Sequence, residues 1–360
     1  MNADVSEASF LRPALAQAIE QGASDLHVVV GHRPTIRVHG RLQQLAGPAL
    51  TEEVARAALK AVSPPDAWQR FEREHNADFA LELDFGSGPR RLRVNYFVSS
   101  QNCGACFRII PSTIPEFHWA GFPLPLALRL THFRNGLVLI SGVSGAGKTT
   151  TLAMLIKRLA QEGDYRIITL EEPIEYVFPH DERSIVTQRE VGRDVASFAE
   201  GLKYGLRQDP DVILVGEIRD RDTAQMVLSA AETGHLVFAT LHTRDAKGAL
   251  TRYVDLVPAN VQAELRAQLA MSLRAVICQH LLPSAAGGKR ELALEILFNN
   301  SPIASAIRTG KDESIDRIIL TSRAEGMLPL DESVRQLFVA HKISRETAEQ
   351  YVSDKSVLNR

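Results

Sequence analysis

The segment GVSGAGKTT at residues 142–150 lies between the apolar run LVLIS and the helical pattern LAMLIKRLA, an order that constrains the chain more than any other feature. An apolar run closed by glycines and continued at helical period is a strand, a tight loop and a helix start. Residues 142–149 satisfy G-x-x-x-x-G-K-[ST] in full and in the required context. In such a loop the backbone of Gly142, Val143, Ser144, Gly145, Ala146 and Gly147 curls its amides around phosphate oxygens. Lys148 supplies charge to the β and γ oxygens, Thr149 offers its hydroxyl to Mg²⁺, and Thr150 continues the helix start beside the ligand. ATP and Mg²⁺ are the expected ligands.

Beyond the loop, short apolar runs alternate with helical segments: RIITLE before a helix through residues 198–206, DVILVGE before AQMVLSAAE, and LVFATLH before AKGALTRYVDL. This alternation predicts a parallel α/β sheet. Ligands of an open parallel sheet sit beyond the carboxyl ends of its strands, so Glu171, Glu217 and His242 arrive at the edge where Lys148 lies. Two carboxylates allow one to polarise the attacking water while the other works at the metal. Glu217 is assigned to the water. Glu171 takes the metal, with Thr149, or shares the base role. His242 is placed to hydrogen-bond the γ-phosphate, whereas His235 enters the same strand from the end farther from the ligand.

With 360 residues the chain exceeds one ordinary core, and two domains are expected. Residues 1–110 read as a small α+β domain. Strand-like runs DLHVVV, TIRVH, DFALEL and RRLRVNYFV predict a mostly antiparallel sheet, with helices over 9–21 and 52–62. Four prolines in IPSTIPEFHWAGFPLP place a linker at 111–125. Residues 126–360 form the nucleotide domain and its helix-dominated end. A long helix is predicted over 261–282, a strand over 292–298, and helices near 331–340 and 344–352.

Forty-one basic against 43 acidic residues, a net charge of −2, remove the electrostatic reason to expect nucleic acid as partner. No apolar run approaches the roughly 20 residues of a membrane span. The start MNADVSEASF lacks the basic and apolar blocks of a secretory signal, and three cysteines fit a cytoplasmic chain. Cys103 and Cys106 form a lone CxxC with no second pair, which reads as a chance spacing.

The stretches EEPIEYV (171–177), SIVTQREVGRD (184–194), GLRQDPDVILVGEIRDRDT (205–223) and AAETGHLVFATLHT (230–243) resemble the signature boxes of secretion-superfamily ATPases. Among these they are most similar to the PilT/PilU-like retraction motors of type IV pili, and QGASDLHVVVG and RLRVNYF resemble that branch's N-terminal domain. The resemblance implies an α/β fold, a RecA-like P-loop ATPase domain with a smaller α+β, PAS-like N-terminal domain. It implies a cytoplasmic homo-hexamer at the inner-membrane base of the pilus that hydrolyses ATP to drive pilus retraction. An inner-membrane platform protein and a paralogous retraction ATPase are the implied partners. It also places Glu171 in an Asp box, Glu217 in an atypical Walker B, His235 and His242 in a His box, and N-terminal-domain arginines beside the nucleotide. Arg91, Arg93 and Arg108 are the candidates.

Three positions depart from the family pattern. Glu171-Glu172-Pro173 stands where Glu-Asp-Pro is usual, SSQNCGA lacks a customary arginine, and the C-terminal retraction motif is cut to Ala306-Ile307-Arg308 followed by Thr309-Gly310. An accessory nucleotide-binding paralogue therefore stays open as an alternative. So does an assembly or secretion ATPase, although those usually carry a further N-terminal domain and often a four-cysteine zinc module.

Overall fold

A computed structural model describes residues 10–38, 40–86, 88–110, 113–179 and 183–359. Residue 9 of the predicted first helix and residues 111–112 of the proline-rich stretch lie outside them. The chain divides into two compact units, one of Met1–Thr113 with Pro173–Val177 and one of Ile114–Glu172 with Phe178–Arg360.

In the first unit, helices α1 (Leu11–Glu20), α2 (Glu52–Val62) and α3 (Pro65–Glu74) accompany six strands: β1 (Asp25–Val29), β2 (Thr35–Val38), β3 (Arg41–Gln44), β4 (Asn76–Asp84), β5 (Pro89–Ser99) and β6 (Asn102–Ile109). The sheet order is β3-β2-β1-β6-β5-β4, antiparallel throughout. Strand alternation separates two faces. The row Ile36, Leu26, Phe107, Val94 is apolar and buried, while the next row on the other face is Arg37, Asp25, Arg108, Arg93. α2 begins where expected, with Thr51 accepting from the Val54 amide and Glu52 and Glu53 in the first turn, favourable to the helix dipole. α3 was not expected, because PDAWQRFERE is mostly polar. Its Trp68 and Phe71 decide the matter by packing around buried Tyr96, whose hydroxyl donates to the Leu59 carbonyl. Cys103 and Cys106, three apart on β6, face opposite sides. Burial first, then Glu52, push the Cys103 thiol up to about 12, far from a metal-binding thiolate.

The second unit is built on seven strands in the order β13-β12-β7-β11-β10-β8-β9. These are β7 (Gly136–Ser141), β8 (Arg166–Glu171), β9 (Ile185–Glu190), β10 (Val212–Val215), β11 (Leu236–Leu241), β12 (Leu273–Pro283) and β13 (Arg290–Phe298). All pairs are parallel except β12 with β13. β7 and β11 lie at the centre and are buried along their whole length, which is why they read as unbroken apolar runs. The helices of this unit are α4 (Phe117–Ala120), α5 (Leu124–Thr131), α6 (Lys148–Glu162), α7 (Phe198–Gly205), α8 (Arg221–Glu232), α9 (Ala246–Asp255), α10 (Gln262–Ser272), α11 (Ser301–Thr309), α12 (Ile315–Thr321), α13 (Leu330–Val339) and α14 (Arg345–Tyr351).

Three expectations change. The helix predicted over 261–282 ends at Ser272, and Leu273–Pro283 is a strand instead. Its apolar run RAVICQHLL has no period that separates a buried helix from a buried strand, and pairing with β7 and β13 decides. The helix-dominated end of the domain therefore contains a β-hairpin. Strand β9, at the sheet edge, was missed because IVTQRE is half polar. Residues 114–125 of the proline-rich stretch fold with the second unit, Phe117–Ala120 as a helix, and Pro125 enters the first turn of α5, where its missing amide costs nothing. Among the described residues no helix is long and apolar enough to cross a membrane.

Candidate active site

Four adjacent parallel strands, β7, β11, β10 and β8, end at one edge of the second sheet, and each delivers one piece of the site. β7 runs into the glycine loop. Gly142, at φ +147°, could carry no side chain, since a Cβ there would meet the Gln279 carbonyl at 2.7 Å. Gly147, at φ +88°, turns the chain into α6 in a left-handed conformation. Val143, Ser144 and Gly145 are exposed, while Lys148 is 8% exposed and folds back over the loop. Its Nζ donates to the carbonyls of Gly142 at 2.7 Å and Val143 at 3.3 Å. Ala146, Thr149 and Thr150 complete the loop and first turn.

β11 delivers His242. Its Nδ1 lies 3.4 Å from Lys148 Nζ and its Nε2 lies 3.3 Å from Glu217 Oε2. A neutral imidazole protonated at Nε2 satisfies both contacts, accepting from the lysine and donating to the carboxylate. β10 delivers Glu217, two residues past its end. Burial disfavours its charge, but the Arg219 hydrogen bond and the neighbouring His242 outweigh that, and its carboxyl is held below the usual range. β8 ends at Glu171, 7% exposed, whose Oε1 accepts from Thr169 Oγ1 at 2.7 Å and Gln188 Nε2 at 2.9 Å. Thr149 and Glu171 are oxygen donors, the kind Mg²⁺ takes. That ion keeps several waters and shares phosphate oxygens, so two protein oxygens fit it.

One candidate of this unit does not reach this edge. His235 sits at the opposite end of β11, roughly 20 Å away at the ordinary rise of a strand, with its Nδ1 at 2.9 Å from the Ala230 carbonyl. Arg91, Arg93 and Arg108 lie on β5 and β6 of the first unit, and Arg108 Nε donates to the buried Asp25 at 3.0 Å.

The geometry adds residues that motif reading passed over. Arg219 joins Glu217 at 2.8 Å to Glu172 at 2.7 Å. The Glu at 172, where the family pattern has Asp, supplies that contact. A signal was present in EIRD, since two-residue spacing in an extended stretch puts Glu217 and Arg219 on one side. Arg290 Nη1 donates to the Gly145 carbonyl at 3.2 Å, a contact between residues 145 positions apart that no local pattern announces.

Arg219→Ala is expected to relieve the depression of the Glu217 carboxyl. The base must be ionised to act, so the acid limb of the rate profile should move to higher pH. An unmoved limb in the pH dependence of kcat/KM would separate Arg219 from Glu217.

The glycine loop, the buried lysine and the strand-end carboxylates on this sheet define a RecA-like P-loop ATPase. The chain belongs to the family described as Type II/IV secretion system protein, which matches residues 3–351. It is 39% identical over 336 residues to the type IV pilus retraction ATPase PilT of Pseudomonas aeruginosa, covering 93% of this chain and 96% of that protein. It is 34% identical to the type IV pilus ATPase PilU of the same organism, covering 92% and 85%. A crystal structure of the pilus retraction motor PilT with bound ADP superposes at a TM-score of 0.85, with 39% identity over 97% of this chain and 99% of the other.

Proposed function

We propose that the protein is an ATP-hydrolysing hexameric motor that drives type IV pilus retraction from the cytoplasmic face of the inner membrane, acting on a platform protein at the pilus base. The convergence of Lys148, His242, Glu217 and Glu171 at four neighbouring strand ends carries the reading. Likeness to the retraction ATPase PilT supports the direction of work.

The steps follow from the contacts. Loop amides receive the phosphates at the α6 N-terminus, where the helix dipole favours anions. Lys148 exchanges the Gly142 and Val143 carbonyls for β and γ oxygens. His242 then loses its donor at Nδ1 while keeping Glu217 at Nε2, which makes it a reporter of nucleotide. Thr149 and Glu171 would hold Mg²⁺, which neutralises charge on the phosphate oxygens when bound. Glu217 orients a water and accepts its proton as the water oxygen bonds to the γ-phosphorus and the bond to the β-bridging oxygen breaks, releasing ADP. Arg91, Arg93 and Arg108 are proposed to serve the nucleotide of a neighbouring subunit, where forked donors suit developing phosphate charge.

Counting surface pili on a deletion strain tests the function. Excess, immobile pili are the expected result, and a bald cell would replace retraction by assembly. ATP hydrolysis by the purified chain separates the motor from a nucleotide-binding accessory paralogue. That second reading is favoured by α11, where Gly310, at φ +68°, ends the helix after Thr309 and cuts the AIR segment short.

A further inference from the structure

The short segment that carries His242 is anchored by strands other than its own. Thr243 donates its amide to Ser141 Oγ at 3.1 Å, and the two hydroxyls lie 2.8 Å apart. His280 Nε2 of β12 lies 2.8 Å from the Arg244 carbonyl. Asp245 caps α9 through the Gly248 amide, and the next residue, Ala246, donates its amide to Glu295 Oε2 at 2.6 Å. Glu295 stands within β13, across from Cys278 of β12, and is 8% exposed. Its strand neighbours Leu294, Ile296 and Leu297 are buried and apolar, so pairing and packing of β13 give no reason for a carboxyl there. The first turn of a helix leaves amides without intrahelical partners, and a carboxylate suits them. Here the carboxylate comes from another strand.

We infer that Glu295 is a positioning residue of the hydrolytic site: through the Ala246 amide it fixes the start of α9, and with it the segment that presents His242 to Lys148 and Glu217. The inference rests on the reading of His242 and Glu217 given above.

The groups around Glu295 set how firm this anchor is. Asp245 at the α9 cap, Asp316 of α12, Asp331 of α13 and Cys278 of β12 face it, while Lys247 of α9 is drawn to Asp316 at 3.1 Å. Burial first pushes the Glu295 carboxyl up, the Ala246 amide pulls it down, and the three aspartates add to the rise, which reaches about 7. The ionised form is the stronger acceptor, so the anchor is firm above that pH and slackens below it. Stability runs the other way. A carboxyl raised in the folded state binds more protons there than in the unfolded chain, and it costs stability as pH climbs from the ordinary carboxylate range through 7.

A double-mutant cycle on ATP hydrolysis by the full chain, between about pH 6 and pH 8.5, tests this. Glu295→Leu removes the acceptor and is expected to lower kcat about tenfold with KM for ATP within about twofold, the order carried by one hydrogen bond to an ionised group. Glu295→Gln keeps an acceptor that cannot ionise. Its kcat should fall about threefold, its rate should lose the wild-type decline centred near pH 7, and its unfolding temperature at about pH 8 should rise. A merely damaged fold does not become slower and more stable together. In a His242→Ala background, either Glu295 substitution should change kcat by less than about twofold. Additive losses in that background, or an unchanged pH profile in Glu295→Gln, would overturn the inference and leave the site reading intact. Full turnover by His242→Ala alone would overturn both.

Discussion

Lys148→Ala is expected to abolish ATP binding. The lysine is nearly buried and turned onto its own loop, 2.7 Å from the Gly142 carbonyl, so its charge is already poised over the space that the loop amides surround. Phosphate oxygens replace those carbonyl contacts with charge-assisted hydrogen bonds of about 1.5–3 kcal/mol each. Losing two of them corresponds to a fall in affinity of at least about 100-fold. Titration of the purified variant with a fluorescent ATP analogue reads the loss, and circular dichroism with an unfolding midpoint shows that α6 still forms. Affinity within a few-fold of wild type would remove Lys148 from the phosphate site.

Glu217→Gln should bind ATP and scarcely turn it over. The amide fills the same space and still meets Arg219 and His242, but it cannot take a proton from water. Removing a positioned base costs roughly 10²- to 10⁴-fold in rate. Single-turnover kinetics on trapped ATP measure this apart from product release, and near wild-type turnover would return the base role to Glu171. The same variant tests the arginines. Arg93→Ala is the better partner than Arg108→Ala, because removing Arg108 takes from the buried Asp25 carboxylate its 3.0 Å ion-pair partner, a loss that bears on the fold itself. Mixing Arg93→Ala with Glu217→Gln subunits restores part of the turnover if Arg93 acts on a neighbour's nucleotide. No recovery would leave it a surface charge of its sheet.

The reach of the sequence differs from element to element. The loop at 142–149 was legible because its glycines, lysine and flanking periods are local, and the structure keeps strand, turn and helix where those periods put them. Glu171, Glu217 and His242 followed from one rule about where parallel strands end. β12 was not legible. Leu273–Pro283 is mostly apolar, and its polar residues Arg274, Gln279 and His280 fall at no regular spacing by which to choose strand over helix. α3 failed for the opposite reason, having too few apolar residues for its pattern to stand out until Trp68 and Phe71 found Tyr96.

By itself the sequence determined the phosphate loop, the strand and helix that flank it, and the identity of the groups at the strand ends, since each depends on residues within a turn or a strand of one another. The tertiary structure alone decided which strands lie side by side. Order β13-β12-β7-β11-β10-β8 brings Ser141 to Thr243 across 102 residues and Glu295 to Ala246 across 49. Such contacts arise from register and sheet order, which are settled by burial summed over the whole core, and no stretch of a few residues carries that sum.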